Sequence, residues 1–530
     1  MDGAVVDRFF KTRESCWRVL IESELSGRGL IIGDFEEKVG ILLGEVLDEV
    51  FCVDTSISRL KAQTSVAKTM QSTVYPVHSD LKNLPFQSAS FDVIVVRCPA
   101  SRVGEYLSSI TELLTQEGSV ILIADGWPRE SGITELVGMG DAPIQTGNRI
   151  RSTLRGHAFG ISRSIEKANL QVIQEYALLS ISKHENARGF RIGNEDALDW
   201  ILYDSNKAAS TNLLKIVRQV TRIMRNSGIL HQCYPRYLFV CKNDRDEYNG
   251  EMNDGMLIAG KNRTTLLELS DGSIDSIRKV PNSRRQEVVN ENAAKIIDAI
   301  EGSASETVPK GKTYKSLFGI ERHEEKVDGT PLDQTLEPTP ESVEKHLAMV
   351  FDWLIDLQNA NRSGWVEKDP NQICADLTIE SVGLSDPPTV EQTIELPKVV
   401  AHGDLFGSNI YCNDGQVANI IDWEWAKEGA NPVLDPGFFL LQTADLLHTE
   451  FEKGIHTLFL DDRYRGIVDG QIQKYCECVG IDPWVFQTYL TISYINRIRR
   501  DLELNKRLDI DWVSRTQCVW KYTKETDFLV

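Results

Sequence analysis

The chain has 530 residues, of which 41% are hydrophobic and 26% charged, a balance typical of folded globular proteins and sufficient for two or more domains. Its 78 acidic residues exceed the 58 basic ones, for a formal net charge of −20. Such a surface repels nucleic-acid phosphates and anionic lipids. We therefore expect no nucleic-acid partner.

The cysteine pattern and the hydropathy indicate the compartment. The ten cysteines are scattered without a CxxC pair, and the first residues, MDGAVVDRFF, contain no apolar core of a signal peptide. The sequence also lacks a run of about 18 apolar residues, the minimum for a membrane-spanning helix. We expect a cytoplasmic protein with reduced thiols and no membrane span.

The first predicted elements alternate between short apolar runs and helical stretches. The runs predict buried strands at residues 29–33, 49–54, 91–96 and 119–125. A helix is predicted over residues 103–118, with Gly118 as its end. A later helix and two strands follow up to about Lys242. This alternation predicts a doubly wound parallel sheet covered by helices.

The same region resembles class I S-adenosylmethionine-dependent methyltransferases in its first strand and loop, LIIGDFEEKVG, and in two later acids. The resemblance implies a Rossmann-like domain over residues 1–242, with Gly40, Asp54 and Asp80 at the S-adenosylmethionine site. Asp54 would meet the ribose and Asp80 the adenine. Of the family's three loop glycines only Gly40 remains. The alternative is therefore a degenerate module that docks a partner, presents the acceptor or stabilises the rest of the chain.

The following segment, residues 243–255, is almost wholly polar and is predicted to be a linker. Strands are predicted over MLIAG, TLLELSDGS and IDSIRKVP, and a helix over about 285–300. A strongly periodic helix, VEKHLAMVFDWLIDLQNA, comes later, and the remainder is predicted to be mainly helical. This second domain is expected to span residues 256–530.

The most informative segment is residues 399–429, which combines an apolar strand, the tripeptide HGD, a short hairpin and a second strand. Phosphoryl transfer needs a carboxylate that orients the attacking hydroxyl and oxygen ligands for Mg²⁺. Asp404, Asn409 and Asp422 supply that set, and a hairpin would bring the last two side by side. Each of the three taken alone is also explained as a turn or strand-end residue.

Two runs in this segment, HGDLFGSN at 402–409 and IIDWE at 420–424, resemble the signature of the aminoglycoside phosphotransferase and choline kinase family. The resemblance implies a two-lobed protein-kinase-like fold, with Asp404 as catalytic base and Asn409 and Asp422 as Mg²⁺ ligands. It also implies that Asp435 braces the catalytic loop. DGTPL, at 328–332, resembles a hinge-proximal motif of the same family.

Upstream, the same resemblance assigns a lysine and a glutamate to the nucleotide. Lys279 of SIRKVP lies on a predicted strand, and Glu291 lies on the helix that follows. In kinases such a pair seats the ATP phosphates. Arg278 would face the opposite side of the strand, because side chains alternate.

Together these features predict an ATP- and Mg²⁺-dependent phosphotransferase with an appended methyltransferase-like module. Its acceptor would be a hydroxyl of a small polar molecule, which is a sugar, an aminoglycoside-like compound or an amino alcohol. Two alternatives stay open: a bifunctional kinase and methyltransferase that modifies a glycan or saccharide, and a non-catalytic pseudoenzyme scaffold.

Overall fold

The computed structural model describes residues 13–33, 35, 37–70, 72–126, 158–179, 187–194, 197, 231, 234–243, 254–259, 263–270, 273–282, 284–368, 393–490, 494, 498 and 510–525. The chain divides into two compact units. The first contains Met1–Glu287 and Tyr314–His323, and the second contains Val288–Thr313 and Glu324–Val530. Within the described ranges, no helix has both the length and the apolar character needed to cross a membrane.

The first unit is built on one large mixed sheet. Its strands, in chain order, are β1 (Arg28–Gly33), β2 (Glu49–Asp54), β3 (Val74–His78), β4 (Phe91–Pro99), β5 (Leu114–Asp125), β6 (Gln171–Leu179), β7 (Ala187–Arg191), β8 (Arg236–Lys242), β9 (Met256–Ala259), β10 (Arg263–Ser270), β11 (Ser273–Pro281), β12 (Gly311–Ser316) and β13 (Gly319–Glu325). Their order across the sheet is β12-β13-β11-β10-β9-β7-β6-β8-β5-β4-β1-β2-β3. Of the last two strands, the residues between Tyr314 and His323 belong to this unit.

Five of these strands form the predicted parallel sheet. β1 lies between β2 and β4, β2 pairs with β3, and β4 pairs with β5, all in parallel. β8 then runs antiparallel to β5. The order β3-β2-β1-β4-β5, with its crossover between β1 and β4, is the doubly wound arrangement. The prediction of a Rossmann-like sheet is therefore confirmed.

The helices of this unit are α1 (Glu37–Leu43), α2 (Ile57–Met70), α3 (Val103–Ile110) and α4 (Ala158–Lys167), and a 3-10 segment over Arg13–Glu24 precedes them. The helix predicted over 103–118 is too long, because a 3-10 turn follows Ile110 and β5 begins at Leu114. Gly118 lies within β5, where a Cβ would come 2.8 Å from the Leu114 side chain. It permits close packing in a strand and does not end a helix.

The sheet continues beyond the region that resembles methyltransferases. β7 pairs antiparallel with β6 on one side and with β9 on the other. β9, β10 and β11 then follow as successive antiparallel neighbours. The linker and the domain boundaries predicted near residues 242 and 255 stay a prediction. Strands from both sides of that segment, however, belong to one hydrogen-bonded sheet.

The second unit combines short strands with a helical base. Its strands are β14 (Thr330–Pro331), β15 (Trp365–Lys368), β16 (Ile394–Pro397), β17 (Val399–Ala401), β18 (Ile410–Asn413), β19 (Gln416–Ile420) and β20 (Lys427–Ala430). The helices after α4 are α5 (Arg284–Ala299), α6 (Leu332–Thr335), α7 (Pro340–Ala360), α8 (Leu434–Leu447), α9 (Phe451–Leu460), α10 (Asp462–Val479) and α11 (Ile510–Glu525). The first residues of α5, up to Glu287, belong to the first unit.

Helix α7 is the centre of that helical base, and its sequence explains its start. Thr339 caps the helix by accepting a hydrogen bond from the Ser342 backbone N–H, and Pro340 occupies the first turn. The apolar stripe then buries Val343, Leu347, Val350, Leu354 and Leu357. These side chains share one core with residues of β18, β19, α8, α9 and α10, which fixes the elements that carry the HGD segment.

Candidate functional site

The loop after β17 is held by one buried carboxylate. Asp435, in the first turn of α8, is 1% exposed. Its two oxygens accept hydrogen bonds from the backbone N–H groups of His402, at 2.6 Å, and Gly403, at 2.8 Å. Burial raises the pKa of Asp435, against the opposing effects of His402 and of the two N–H donors. The expected bracing role of Asp435 thus agrees with the contacts that it makes.

His402 ties the same loop to the neighbouring hairpin. Its Nδ1 lies 3.2 Å from the Asp404 backbone nitrogen, and its Nε2 lies 2.8 Å from the Ile421 carbonyl oxygen. The first contact needs an acceptor and the second a donor, so these bonds select the tautomer protonated at Nε2. The imidazole is fully buried and edge-on to Trp423. His402 therefore orients the loop and is not placed as a proton carrier.

Gly403 is required between these two residues. Its φ is +79°, and a Cβ on it would lie 2.3 Å from the Trp425 carbonyl oxygen. A side chain is excluded both by the backbone conformation and by space. Gly403 therefore lets the chain turn sharply between His402, whose N–H is bound by Asp435, and Asp404.

The hairpin predicted after the HGD tripeptide is present. β18 and β19 pair antiparallel, with Ile410 opposite Ile420. Asp414 and Gly415 form the turn with φ values of +50° and +78°, as a two-residue primed turn requires. Because the strand ends lie together, the Ile421 N–H donates to the Asn409 carbonyl at 2.9 Å.

The nitrogen and the oxygen of the Asn409 side-chain amide have different roles. Its Nδ2 donates to the Asp404 carbonyl oxygen at 3.0 Å, and the residue is 5% exposed. Among the described residues, none donates a hydrogen bond to its Oδ1. The donated bond fixes the amide plane and leaves a carbonyl-type oxygen for a hard cation such as Mg²⁺.

Asp422 has an unusual backbone. Its φ and ψ are 65° and 49°, the left-handed conformation, directly before the 3-10 turn Trp423–Trp425. For a residue with a side chain this costs on the order of 1–3 kcal/mol, and such strain is concentrated at functional sites. One residue before it, Ile421 is bonded to Asn409. The hairpin therefore brings together the two residues predicted to bind the metal.

A divalent ion fits this donor set. An amide oxygen and a carboxylate are ligands that Mg²⁺ takes from proteins, and the ion completes its shell with water and phosphate oxygens. In the described part of the chain, no three His, Cys, Asp or Glu side chains converge on one point. A two-ligand site of the kind found in phosphotransferases is consistent with that arrangement.

The DGTPL run lies beside the hairpin. β14 pairs antiparallel with β18, which places Thr330 opposite Cys412 and Pro331 opposite Tyr411. Asn419 of β19 also donates to the Asp328 carbonyl at 3.2 Å. Burial and then the charges of Asp422 and Asp333 raise the pKa of the Tyr411 hydroxyl. This end of the hairpin is therefore an electronegative region.

The two residues predicted to seat the nucleotide belong to different units. Lys279, on β11 of the first unit, is 6% exposed, whereas Glu291 lies on α5 in the second unit and is exposed. One turn earlier on α5, Glu287 belongs to the same unit as Lys279 and is half-buried against Gly319. The family resemblance assigned Glu291 to this role and did not point to Glu287. The loop that follows Ala259 lies outside the described residues.

The residues proposed for S-adenosylmethionine are all used by the fold itself. Asp54, at the end of β2, accepts hydrogen bonds from the Ser56 N–H at 2.7 Å and from Arg59 at 3.1 Å. Its second oxygen forms an ion pair with Arg59 Nε at 3.0 Å. Asp80 accepts from the backbone N–H groups of Lys82 and Asn83. An ionised carboxylate has about four acceptor positions, so these local contacts do not exclude a cofactor, and the assignment of Asp54 and Asp80 to S-adenosylmethionine stays a prediction.

Two glycines near the end of β1 have packing roles. Gly40 lies in α1, where a Cβ would come 2.4 Å from Cys52 Sγ and 2.6 Å from Gln63 Nε2. Gly33 has a φ of +122°, and a Cβ there would lie 1.9 Å from the Arg97 carbonyl oxygen. Sequence reasoning considered the glycines from Asp34 onward and missed Gly33, although it ends the predicted strand. Gly33 allows close backbone packing between β1 and β4, and Gly40 allows α1 to pack on side chains of β2 and α2.

Comparison with known proteins finds methyltransferases for less than half of the chain. No protein-family model matches, and no curated protein matches either. Geranyl diphosphate C-methyltransferase from Streptomyces coelicolor, solved with Mg²⁺, geranyl diphosphate and S-adenosylhomocysteine, is 10% identical over 43% of this chain and 76% of that chain, with a TM-score of 0.27. A SAM-dependent methyltransferase from Aquifex aeolicus is 12% identical over 32% and 84%, with a TM-score of 0.23. The YcgJ protein from Bacillus subtilis is 17% identical over 44% and 100%, with a TM-score of 0.27.

The strand order of the amino-terminal part of the chain is that of a Rossmann-like, methyltransferase-like fold. Less than half of this chain is covered in each of these comparisons. The HGD segment lies in the second unit.

Proposed function

We propose that the chain is an ATP- and Mg²⁺-dependent phosphotransferase that phosphorylates a hydroxyl of a small polar acceptor. The observation that supports this most is the linkage within the second unit. Asn409 bonds to the Asp404 carbonyl at 3.0 Å and to the Ile421 N–H at 2.9 Å. One residue therefore joins the proposed base to the strand end that carries Asp422.

Each residue has a role that follows from its chemistry. Asp404 orients the acceptor hydroxyl and takes its proton as the acceptor oxygen bonds to the γ-phosphorus and the bond to ADP breaks. Asn409 and Asp422 hold Mg²⁺, which neutralises charge on the phosphate oxygens. His402 and Asp435 keep the loop in place through the hydrogen bonds described above. Sugars, aminoglycoside-like compounds and amino alcohols are the proposed acceptors.

Two aspartates in this segment provide a matched test. Asp404→Asn removes the proposed base, whereas Asp414→Asn changes an exposed acid in the hairpin turn. ADP release would be measured with ATP, Mg²⁺ and a panel of monosaccharides, aminoglycosides and amino alcohols. We expect Asp404→Asn to lower kcat by about 100-fold or more and Asp414→Asn to retain it, with both variants folded by circular dichroism. Equal turnover in the two variants would exclude the proposed role of Asp404.

The methyltransferase-like part is assigned no methyl transfer in this proposal. Of the three loop glycines typical of the methyltransferase family, only Gly40 remains in this chain. Calorimetric titration of the whole protein with S-adenosylmethionine and S-adenosylhomocysteine tests this view. Stoichiometric binding of either compound would favour the bifunctional alternative, in which one half phosphorylates a saccharide and the other methylates it.

A further inference from the structure

A buried arginine joins the 3-10 segment Arg13–Glu24 to the strand that carries Lys279. Arg278, on β11, donates Nε to one oxygen of Glu321 and Nη2 to the other, the latter at 2.9 Å. Nη2 also donates to Glu22, which lies in the 3-10 segment Arg13–Glu24. The guanidinium therefore links three pieces of chain that are far apart in sequence, all within the first unit.

The ion pair between Arg278 and Glu321 is shielded from water, whereas the Glu22 side chain is 25% exposed. The side chains of Arg278 and Glu321 are 13% and 1% exposed. Burial alone would raise the pKa of Glu321, but hydrogen bonds from His323, Arg278 and Ser316 outweigh it and lower that pKa to about 2. A buried carboxylate that loses its cation is strongly unfavourable, so the position of Arg278 is tightly fixed.

Apolar side chains of the 3-10 segment also share a core with those of β11 and its neighbouring strands. The 3-10 segment contributes several side chains to one core, and β9, β10 and β11 contribute to it as well. This core also contains residues of β1, α1 and β2, and its members from the two regions include Trp17, Leu20, Ile21, Leu257, Leu266 and Val280. β11 therefore contributes Val280 to the same core as the amino-terminal 3-10 segment.

Side chains alternate along β11. Arg278 and Val280 face this shared core, and Lys279 between them faces the other side of the sheet. Because the two residues are adjacent on β11, a backbone shift at Arg278 also moves the backbone of Lys279. The backbone that carries Lys279 is thus held by its pairing with β10 and also by the contacts of Arg278.

We propose that Arg278 is a positioning residue for Lys279 and that Glu22 makes the amino-terminal segment a part of the nucleotide-binding apparatus. This inference rests on the proposed phosphotransferase function, through the predicted contact of Lys279 with the ATP phosphates. In this view the methyltransferase-like fold supports β11 and needs no cofactor of its own to do so.

Two glutamates of the same 3-10 segment provide the test. Glu22 bonds to Arg278, whereas Glu24 bonds to Ser119 at 2.6 Å and to Lys242 at 3.1 Å, which lie on β5 and β8. Glu22→Gln and Glu24→Gln each remove one charge from one short segment. The dissociation constant for ATP with Mg²⁺ would be measured by calorimetry on the full chain. We expect Glu22→Gln to raise it about fivefold or more and Glu24→Gln to leave it within about twofold.

A second measurement does not depend on activity. Amide hydrogen exchange should accelerate over Ser273–Pro281 in Glu22→Gln and not in Glu24→Gln, because β11 loses one of its fixed partners. Equal exchange and equal nucleotide affinity in the two variants would overturn the inference. If the unaltered protein binds no nucleotide, the proposed function fails instead, and exchange over β11 still decides whether Glu22 holds that strand.

Discussion

Asp435 Oδ2 accepts a hydrogen bond from the His402 backbone N–H at 2.6 Å, and this contact joins the first turn of α8 to the HGD loop. The second oxygen accepts from the next N–H along the chain. Both acceptors of one buried carboxylate are therefore used to shape a three-residue loop. The Asp435 carboxylate offers one acceptor oxygen to each of the two backbone N–H groups, whereas an amide side chain has only one acceptor oxygen.

Asp435→Asn should destabilise the protein and reduce its activity. An asparagine offers one acceptor, and its NH₂ group would face a second backbone donor, so one buried N–H loses its partner. We expect a loss of about 1–3 kcal/mol in the free energy of unfolding, measured by chemical denaturation. Asp445→Asn, on the same helix, is the control because Asp445 forms a part-exposed ion pair with Arg515. A smaller loss for Asp435→Asn than for this control would contradict the bracing role.

Asn409→Ala should change the Mg²⁺ requirement of the reaction. The substitution removes both the proposed metal-binding oxygen and the amide that bonds to the Asp404 carbonyl. We expect the Mg²⁺ concentration for half-maximal activity to rise by about tenfold or more. Asn413→Ala, at the exposed end of β18, is the matched control. An unchanged Mg²⁺ dependence in Asn409→Ala would show that the metal is held elsewhere.

Glu287 and Glu291 can be told apart by substitution. A charge-assisted hydrogen bond to Lys279 is worth about 1.5–3 kcal/mol, so its loss should raise the KM for ATP by about tenfold or more. The half-buried position of Glu287 leads us to expect this effect in Glu287→Gln and near-normal kinetics in the exposed Glu291→Gln. The opposite result would assign the pair to Glu291, as the sequence pattern had predicted.

The acid stability of the protein should depend on Glu321. Its folded-state pKa of about 2 lies below the ordinary value of 4.5, so its stabilising contribution is complete above about pH 4.5. This contribution, on the order of 3 kcal/mol, is lost as the pH falls from about 4.5 to about 2. Melting curves in that range should show the unaltered protein approaching Glu321→Gln. A constant difference between them would contradict the lowered pKa, and the exposed Glu117→Gln serves as control.

Local patterns explain which parts of the fold could be predicted from the sequence. Strands β1 and β2, helix α7 and the turn at Asp414-Gly415 have apolar periodicity or turn residues of their own. β3 was missed because Pro76 interrupts its pattern, and an edge strand tolerates that proline. β7, with the sequence ARGFR, has almost no pattern.

The site was predictable to a similar, partial extent. Asp404, Asn409 and Asp422 are close in sequence, so spacing alone suggested that the chain would bring them together. The partners of Arg278 lie 256 and 43 residues away, and no local rule connects such positions. Asp54 was predicted at the correct strand end. Its hydrogen bond with Arg59, five residues later, depends on side-chain geometry that the sequence pattern does not contain.

The pairing of β7 with β9 limits how this protein can be divided. A fragment that begins at Met256 would lose β7, and the backbone N–H and C=O groups of β9 would then be exposed in a row. Such unpaired rows recruit other chains and promote aggregation. The same fragment would expose Leu257, Leu266 and Val280, which are covered by the amino-terminal segment and its sheet. For recombinant work, insolubility of the isolated carboxyl-terminal region is therefore the expected behaviour, and co-expression with the missing half is the natural remedy.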